Sequence, residues 1–228
     1  MRRQIILGLG AVALSLALKD LYKPEAKEKQ IAPVKQPQKS PATSEESLAS
    51  DSAINVSASS KAAIWSFLQQ GRGYVVLMRH ALAPGIGDPP EFRLNDCSTQ
   101  RNLSDEGRKQ AVRTGKAFKS RNIPVARVLS SQWCRCLETA KLMNIGAVEP
   151  FAPLNSFFLN QTTESKQTAQ VRQFILNNRN TRGVVVMITH EVNITAIARD
   201  YYLKSGESVV VRAKAKNQIE VVGQIKAF

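Results

Sequence analysis

Two continuous apolar runs organise this chain, and each ends on a histidine. Tyr74-Val75-Val76-Leu77-Met78 leads into Arg79-His80-Ala81, and Val184-Val185-Val186-Met187-Ile188 leads into Thr189-His190. Runs of five apolar residues with no polar alternation predict strands covered on both faces, as in a parallel sheet. Helical patterns surround them. Ser60 is placed to cap an amphipathic helix over Lys61–Leu68 that stops at Gly71, and Ser104, followed by Asp105 and Glu106, opens a helix running to about Ser120. A short strand is expected over Ala126–Ser130, a helix from Ser131 through Ala140, and a third strand over Val148–Phe151. Further helices are expected over about Thr163–Asn178 and Asn193–Tyr202, and two last strands over Glu207–Arg212 and Gln218–Ile225. Alternating strands and helices predict an α/β domain: a three-layer sandwich with a mostly parallel central sheet.

The first 57 residues follow a different pattern. Met1-Arg2-Arg3-Gln4 is a short positive start, followed by an apolar run from Ile5 to Leu18. Fourteen residues fall short of the roughly 20 that a membrane span needs, and fit the apolar region of a secretory signal. Residues 1–18 are read as a signal peptide or an uncleaved N-terminal anchor, with Ser15-Leu16-Ala17 as a weak cleavage signal; no cysteine follows for a lipid anchor. Residues 19–57 carry prolines at 24, 33, 37 and 41 among Lys, Glu, Gln, Ser and Ala, with no aromatic after Tyr22. Such a segment has too little apolar content to repay its ordering entropy and reads as a disordered linker. The folded domain is expected over residues 58–228.

Charge narrows the class of partner. The chain has 32 Lys and Arg against 18 Asp and Glu; residues 1–58 carry 8 basic and 6 acidic side chains, leaving 24 against 12 for the remainder. A basic domain attracts anions. No interleaving of aromatic and basic residues and no recognised module supports nucleic acid, so a phosphorylated ligand is the better match.

The chemistry gathers at strand ends. The chain has two histidines, and both end a buried run, one beside Arg79. Beyond the strand ends of an open α/β sheet lies the crevice in which ligands bind. Arg135 lies just past another expected strand, at the start of a helix. There it is either a surface arginine with its stem along the helix, or a fork suited to a phosphate dianion. Zinc is a weaker reading, since no third histidine exists and the cysteines lie on other segments. No metal ligand set and no cofactor motif is found.

Taken in order, Leu77-Met78-Arg79-His80, then Leu103-Ser104 with Gly107 and Gln110-Ala111, then Ser131 with Arg135 and Thr139-Ala140, then Thr189-His190, the chain resembles the histidine phosphatase superfamily, which includes the phosphoglycerate mutases and acid phosphatases. The resemblance spans residues 73 to about 212 and implies a phosphoglycerate mutase-like fold. It departs from the family at Ala81, where a glycine is usual, and at Asn155, near which the family's acid would stand.

The resemblance implies that His80 takes the phosphoryl group as a phosphohistidine that water then hydrolyses, without a metal or other cofactor. Arg79 and Arg135 would cradle the equatorial oxygens and disfavour the cationic form of His80, and His190 would donate to the same oxygens. Glu191, directly after the second histidine as in the acid-phosphatase branch, is the expected proton donor, with Asp96 and Glu91 on the long loop 81–102 as rivals. The expected activity is a phosphomonoester hydrolase; a phospholigand-binding module with little turnover and a phosphomutase are the alternatives. The leader and linker favour an exported or periplasmic protein, held to a membrane only through its N-terminal segment. In such a compartment Cys97 on the loop can bridge to Cys134 or Cys136. The substrate is left open among phosphorylated small molecules, glycans, lipids and peptides, and so is the oligomeric state.

Overall fold

The computed structural model describes residues 63–228. The expected signal or anchor segment (1–18), the expected linker (19–57) and the expected cap Ser60 lie outside the described residues. From residue 63 the elements alternate as the sequence pattern predicts. Helix α1 (residues 63–70) leads to β1 (Arg72–Arg79), and a long loop leads to α2 (Asp105–Ser120), β2 (Val125–Ser130), α3 (Cys134–Met143) and β3 (Val148–Pro150). Then follow α4 (Glu164–Asn177), β4 (Gly183–Thr189), α5 (Glu191–Ile197), β5 (Ser208–Ala213) and β6 (Ile219–Ile225). Among the described residues, no helix is long and apolar enough to cross a membrane.

The six strands form one sheet in the order β3-β2-β4-β1-β5-β6. Pairings β3–β2, β2–β4 and β4–β1 are parallel, while β1–β5 and β5–β6 are antiparallel, so β5 alone runs against the rest. The sheet is therefore mostly parallel, with an antiparallel edge. Alternation along the central strands splits the core into two faces. Tyr74, Val76 and Met78 of β1, with Val184, Val186 and Ile188 of β4, pack against α1, α2 and α3 through Leu68, Phe118 and Met143. Val75, Leu77, Val185 and Met187 point the other way, onto Val171 and Ile175 of α4 and Ile194 of α5. This is a three-layer α/β domain.

Two helices differ by more than a residue from the sequence expectation, and both differences shape the site. Helix α3 begins at Cys134, not Ser131: residues 131–133 stay outside the helix, with Trp133 extended at φ −64°, ψ 137°, and the Ser131 hydroxyl is committed elsewhere. Helix α5 begins at Glu191 and ends at Ile197, two residues earlier and several shorter than expected. The chain after Ala198 is instead held by Tyr201 N–H on the Ala198 carbonyl and Leu203 N–H on the Glu191 carboxylate.

Candidate active site

The register of the two central strands brings the two histidines together. Arg79 stands opposite Thr189 in the parallel β1–β4 pair, so the next residues, His80 and His190, leave the sheet side by side at the same edge. His80 N–H donates to the Thr189 carbonyl at 3.0 Å, and the ring centroids lie 5.5 Å apart. Both rings are buried.

Arg135, on the first turn of α3, joins them. Its Nε–H points at His80 Nε2 at 3.3 Å and one Nη2–H at His190 Nδ1 at 3.4 Å. A guanidinium only donates, so both nitrogens are acceptors and both rings are neutral in this arrangement. His80 Nδ1–H donates to the Ala81 carbonyl at 2.8 Å, which leaves the Nε2 lone pair to accept from Arg135. His190 Nε2–H donates to Ser131 Oγ at 2.9 Å. Burial first, and the Arg135 charge second, push the His80 pKa down to about 3; the Ala81 hydrogen bond opposes them. Burial, then the neighbouring His80 and Arg135, hold His190 well below the usual histidine value.

Arg79 lies on the other side of His80. Its Nη1 donates to the Leu203 carbonyl at 2.6 Å and to Glu191 Oε2 at 3.2 Å, while its Nε is buried without a partner among the described residues. Glu191 Oε1 accepts the Leu203 N–H at 2.8 Å. Burial raises the Glu191 carboxyl above its ordinary pKa, outweighing the hydrogen bond from Leu203 and the charge of Arg79. Arg79, His80, Arg135, His190 and Glu191 all line one cavity of about 570 Å³. Asp96 and Glu91 do not line it; the Asp96 carboxylate is tied to Ser98 and Arg93.

The long loop supplies a carboxylate that sequence reasoning did not single out. Asp88 grips Arg135 with both oxygens, at 2.7 and 3.1 Å, in a pair that is almost fully buried, and accepts Trp133 Nε1–H at 3.0 Å. Burial pushes the Asp88 carboxyl up, but the hydrogen bonds and charge of Arg135 outweigh this and hold it below the ordinary carboxylate range. Arg101, also missed, lines the cavity and pins the loop through the Gly87 and Ala83 carbonyls. The loop is further fixed by a Cys97–Cys134 disulfide; Cys136 remains a buried thiol, its pKa pushed up to about 12 by burial.

The motif residues of the second block hold the cradle in place. Ala81 N–H donates to Thr139 Oγ1, and Gln110 spans from Leu82 N–H to the Ser205 carbonyl. Gly107 lets α2 lie against the Leu82 backbone, where a Cβ would collide with the Leu82 carbonyl. Ser104 caps α2 through the Gly107 N–H and also hydrogen-bonds to Leu82. Asn155 Oδ1 accepts from Ser131 Oγ and Gln132 N–H, bracing the segment that orients His190.

A sequence model described as "Histidine phosphatase superfamily (branch 1)" matches residues 75–154. Over these residues the chain is similar to the histidine phosphatase superfamily. Its fold is similar to that of the protein histidine phosphatase SixA complexed with tungstate, with a TM-score of 0.50 and 15% identity over 67% of this chain and 96% of that one. It is also similar to a mutant phosphoserine phosphatase from Entamoeba histolytica in complex with phosphoserine, with a TM-score of 0.50 and 13% identity over 66% of this chain and 95% of that one. At these identities the likeness is one of fold. No curated protein sequence matches the chain. The matched stretch carries His80 and Arg135, and the fold adds His190 from beyond residue 154.

Proposed function

We propose that the protein is a metal-independent phosphomonoester hydrolase working through a phosphohistidine on His80. The observation that carries this reading is the hydrogen-bond state of His80: buried and neutral, with Nδ1–H fixed on the Ala81 carbonyl and Nε2 presented beside the Arg135 fork. That is the arrangement an imidazole needs to attack phosphorus.

In the proposed reaction a phosphate dianion displaces the Asp88 carboxylate from Arg135, the charge it most resembles in the free site. Arg79 and Arg135 then bind the equatorial oxygens, and the buried Nε–H of Arg79 gains an acceptor. The dianion offsets the field of the arginines on His190, whose Nδ1 takes a proton from solvent as the ligand enters and donates it in a hydrogen bond to the phosphoryl group. His80 Nε2 forms the bond to phosphorus as the ester P–O bond breaks, and Glu191, whose carboxyl holds its proton more tightly than a free one, protonates the departing oxygen. Water then attacks the phosphohistidine, Glu191 takes its proton, and inorganic phosphate leaves His80 neutral.

Hydrolysis is favoured over mutase chemistry by the cavity lining. The cations on it, among the described residues, are Arg79, Arg101 and Arg135, all at the phosphate end, so a second phosphate finds no second cradle. The neighbours' ligands, tungstate and phosphoserine, are also a tetrahedral oxyanion and a phosphomonoester. Export to an oxidising compartment is proposed as well, supported by the leader and by the Cys97–Cys134 disulfide. In excess chelator the full chain is expected to hydrolyse 4-nitrophenyl phosphate, and His80→Ala to lose about 10³-fold or more of kcat. Undiminished turnover by that variant would refute the proposed nucleophile.

A further inference from the structure

Beyond the phosphate cradle the cavity changes character. Its outer wall is built from Ile86, Phe92, Trp133, Phe158 and Leu159. Phe92 stacks on Trp133 with centroids 4.9 Å apart, and the same Trp133 ring stands edge-on to His190 at 5.5 Å. The apolar surface therefore runs continuously from the reacting histidines outward. Five large hydrophobic residues are exposed among the described residues, and three of them rim this cavity: Ile86 at 89%, Leu159 at 72% and Phe158 at 50%. Exposed apolar side chains gathered at one cleft mark a binding surface, since scattered ones would be unremarkable.

Several polar atoms on the same wall are committed within the protein. Asn160 Oδ1 accepts from Thr162 N–H and Oγ1–H, and Thr163 Oγ1–H donates to the Asn160 carbonyl. Gln167 Nε2 donates to the Asn155 carbonyl at 2.7 Å, and the Asn155 side chain is held between Ser131 and Gln132. A sugar, nucleoside or amino-acid alcohol brings hydroxyls or charges that need partners of their own, and burying them unpaired is costly. No acidic or basic side chain lies on this outer part, away from the cradle residues and Glu191.

We infer that the site selects phosphomonoesters whose alcohol half is a bulky apolar group, alkyl or aryl, laid against the Phe92–Trp133 stack and the Ile86–Phe158–Leu159 rim. The inference rests on the proposed phosphate cradle and adds the substrate class to it.

Binding and turnover separate the two readings. Affinity of the full chain for linear alkylphosphonates, which cannot be hydrolysed at the P–C bond, is measured by calorimetry from methyl to decyl, with benzylphosphonate as the aryl arm. Because the wall covers one side of the chain, affinity is expected to rise about twofold per methylene over the first several carbons. Whichever of the alkyl and aryl arms binds more tightly names the better-fitting group. In parallel, kcat/KM is compared for hexyl phosphate and glucose 6-phosphate, both primary alkyl esters of similar leaving-group basicity, with hexyl phosphate expected to lead by at least tenfold. Phe158→Ser combined with Leu159→Ser should flatten the chain-length dependence of affinity. A rising affinity series without turnover would refute hydrolysis and leave the apolar selection standing. A flat affinity series, or glucose 6-phosphate turned over as well as hexyl phosphate, would overturn the selection and leave the phosphohistidine mechanism untouched.

Discussion

Arg135 meets both histidines and Asp88 through a single guanidinium, and this sets the protonation of the whole centre. Histidines buried neutral beside it couple stability to pH in a definite direction. The folded His80 pKa, about 3, lies below the unfolded value near 6.5, so between these limits the unfolded chain binds more protons. The neutral form's contribution is complete above pH 6.5 and is lost as pH falls through that window, by about 2 kcal/mol at pH 5 for His80 alone. Urea unfolding at pH 7 and pH 5 checks this, with His80→Gln expected to reduce the difference. A midpoint independent of pH in that range would mean the imidazole is not buried neutral. Glu191 has a distinct signature. Glu191→Gln should slow hydrolysis of alkyl phosphates by about 10²-fold, because their alkoxide needs a proton, and that of nitrophenyl phosphate far less. Equal slowing of both would move the donor role to another group, Asp88 being the carboxylate nearest to hand. The strand-end residues Arg79, His80 and His190 were legible because a buried apolar run that stops at a polar residue says where the sheet edge lies. Asp88 was not. Among the acids of a loop without periodicity, only the tertiary path decides which one reaches Arg135.

At the scale of elements, the loop between β1 and α2 is what completes the cavity. It carries Asp88, Phe92 and Arg101, and is tied to the start of α3 by the Cys97–Cys134 bridge, 37 residues apart in sequence and one residue from Arg135. Closing a loop of that length restrains the unfolded chain by about 4 kcal/mol on the chain-entropy account. Replacing both cysteines by serine is expected to lower Tm and to raise KM several-fold. The effect on kcat should be smaller, since His80 and His190 stand at strand ends that the bridge does not hold. Unchanged KM, followed across a substrate titration, would show that the loop keeps its place through Gln100 and Arg101 alone. The sequence left Cys134 and Cys136 as equal candidates. Two positions apart on a helix they face different ways, and α3 turns Cys136 into the core under the sheet while Cys134 faces the loop. The later start of α3 and the earlier start and end of α5 were likewise hidden: nothing local marks that Ser131 is spent on His190, or that α5 opens at Glu191 itself.

For the whole molecule, every residue that lines the cavity falls between Arg79 and Val192, within the α/β domain. Its layering was readable from the chain, because double-sided burial of β1 and β4 leaves no polar alternation and Ser104 marks the start of the helix that follows β1. The antiparallel reversal of β5 was not readable, since Val209-Val210-Val211 is as apolar as the runs in the mutually parallel β1 and β4. The likeness of fold to a protein histidine phosphatase and to a phosphoserine phosphatase sets the frame, and the chemistry proposed for it rests on one covalent bond. The full chain, incubated briefly with an isotopically labelled phosphomonoester and quenched in alkali, is expected to retain phosphate that survives base and is released by acid, as a phosphoramidate does. Peptide mapping should place it on His80, and His80→Ala should carry none. Label on another residue, or rapid hydrolysis with no label trapped on His80 even when acceptor water is made limiting, would contradict the account.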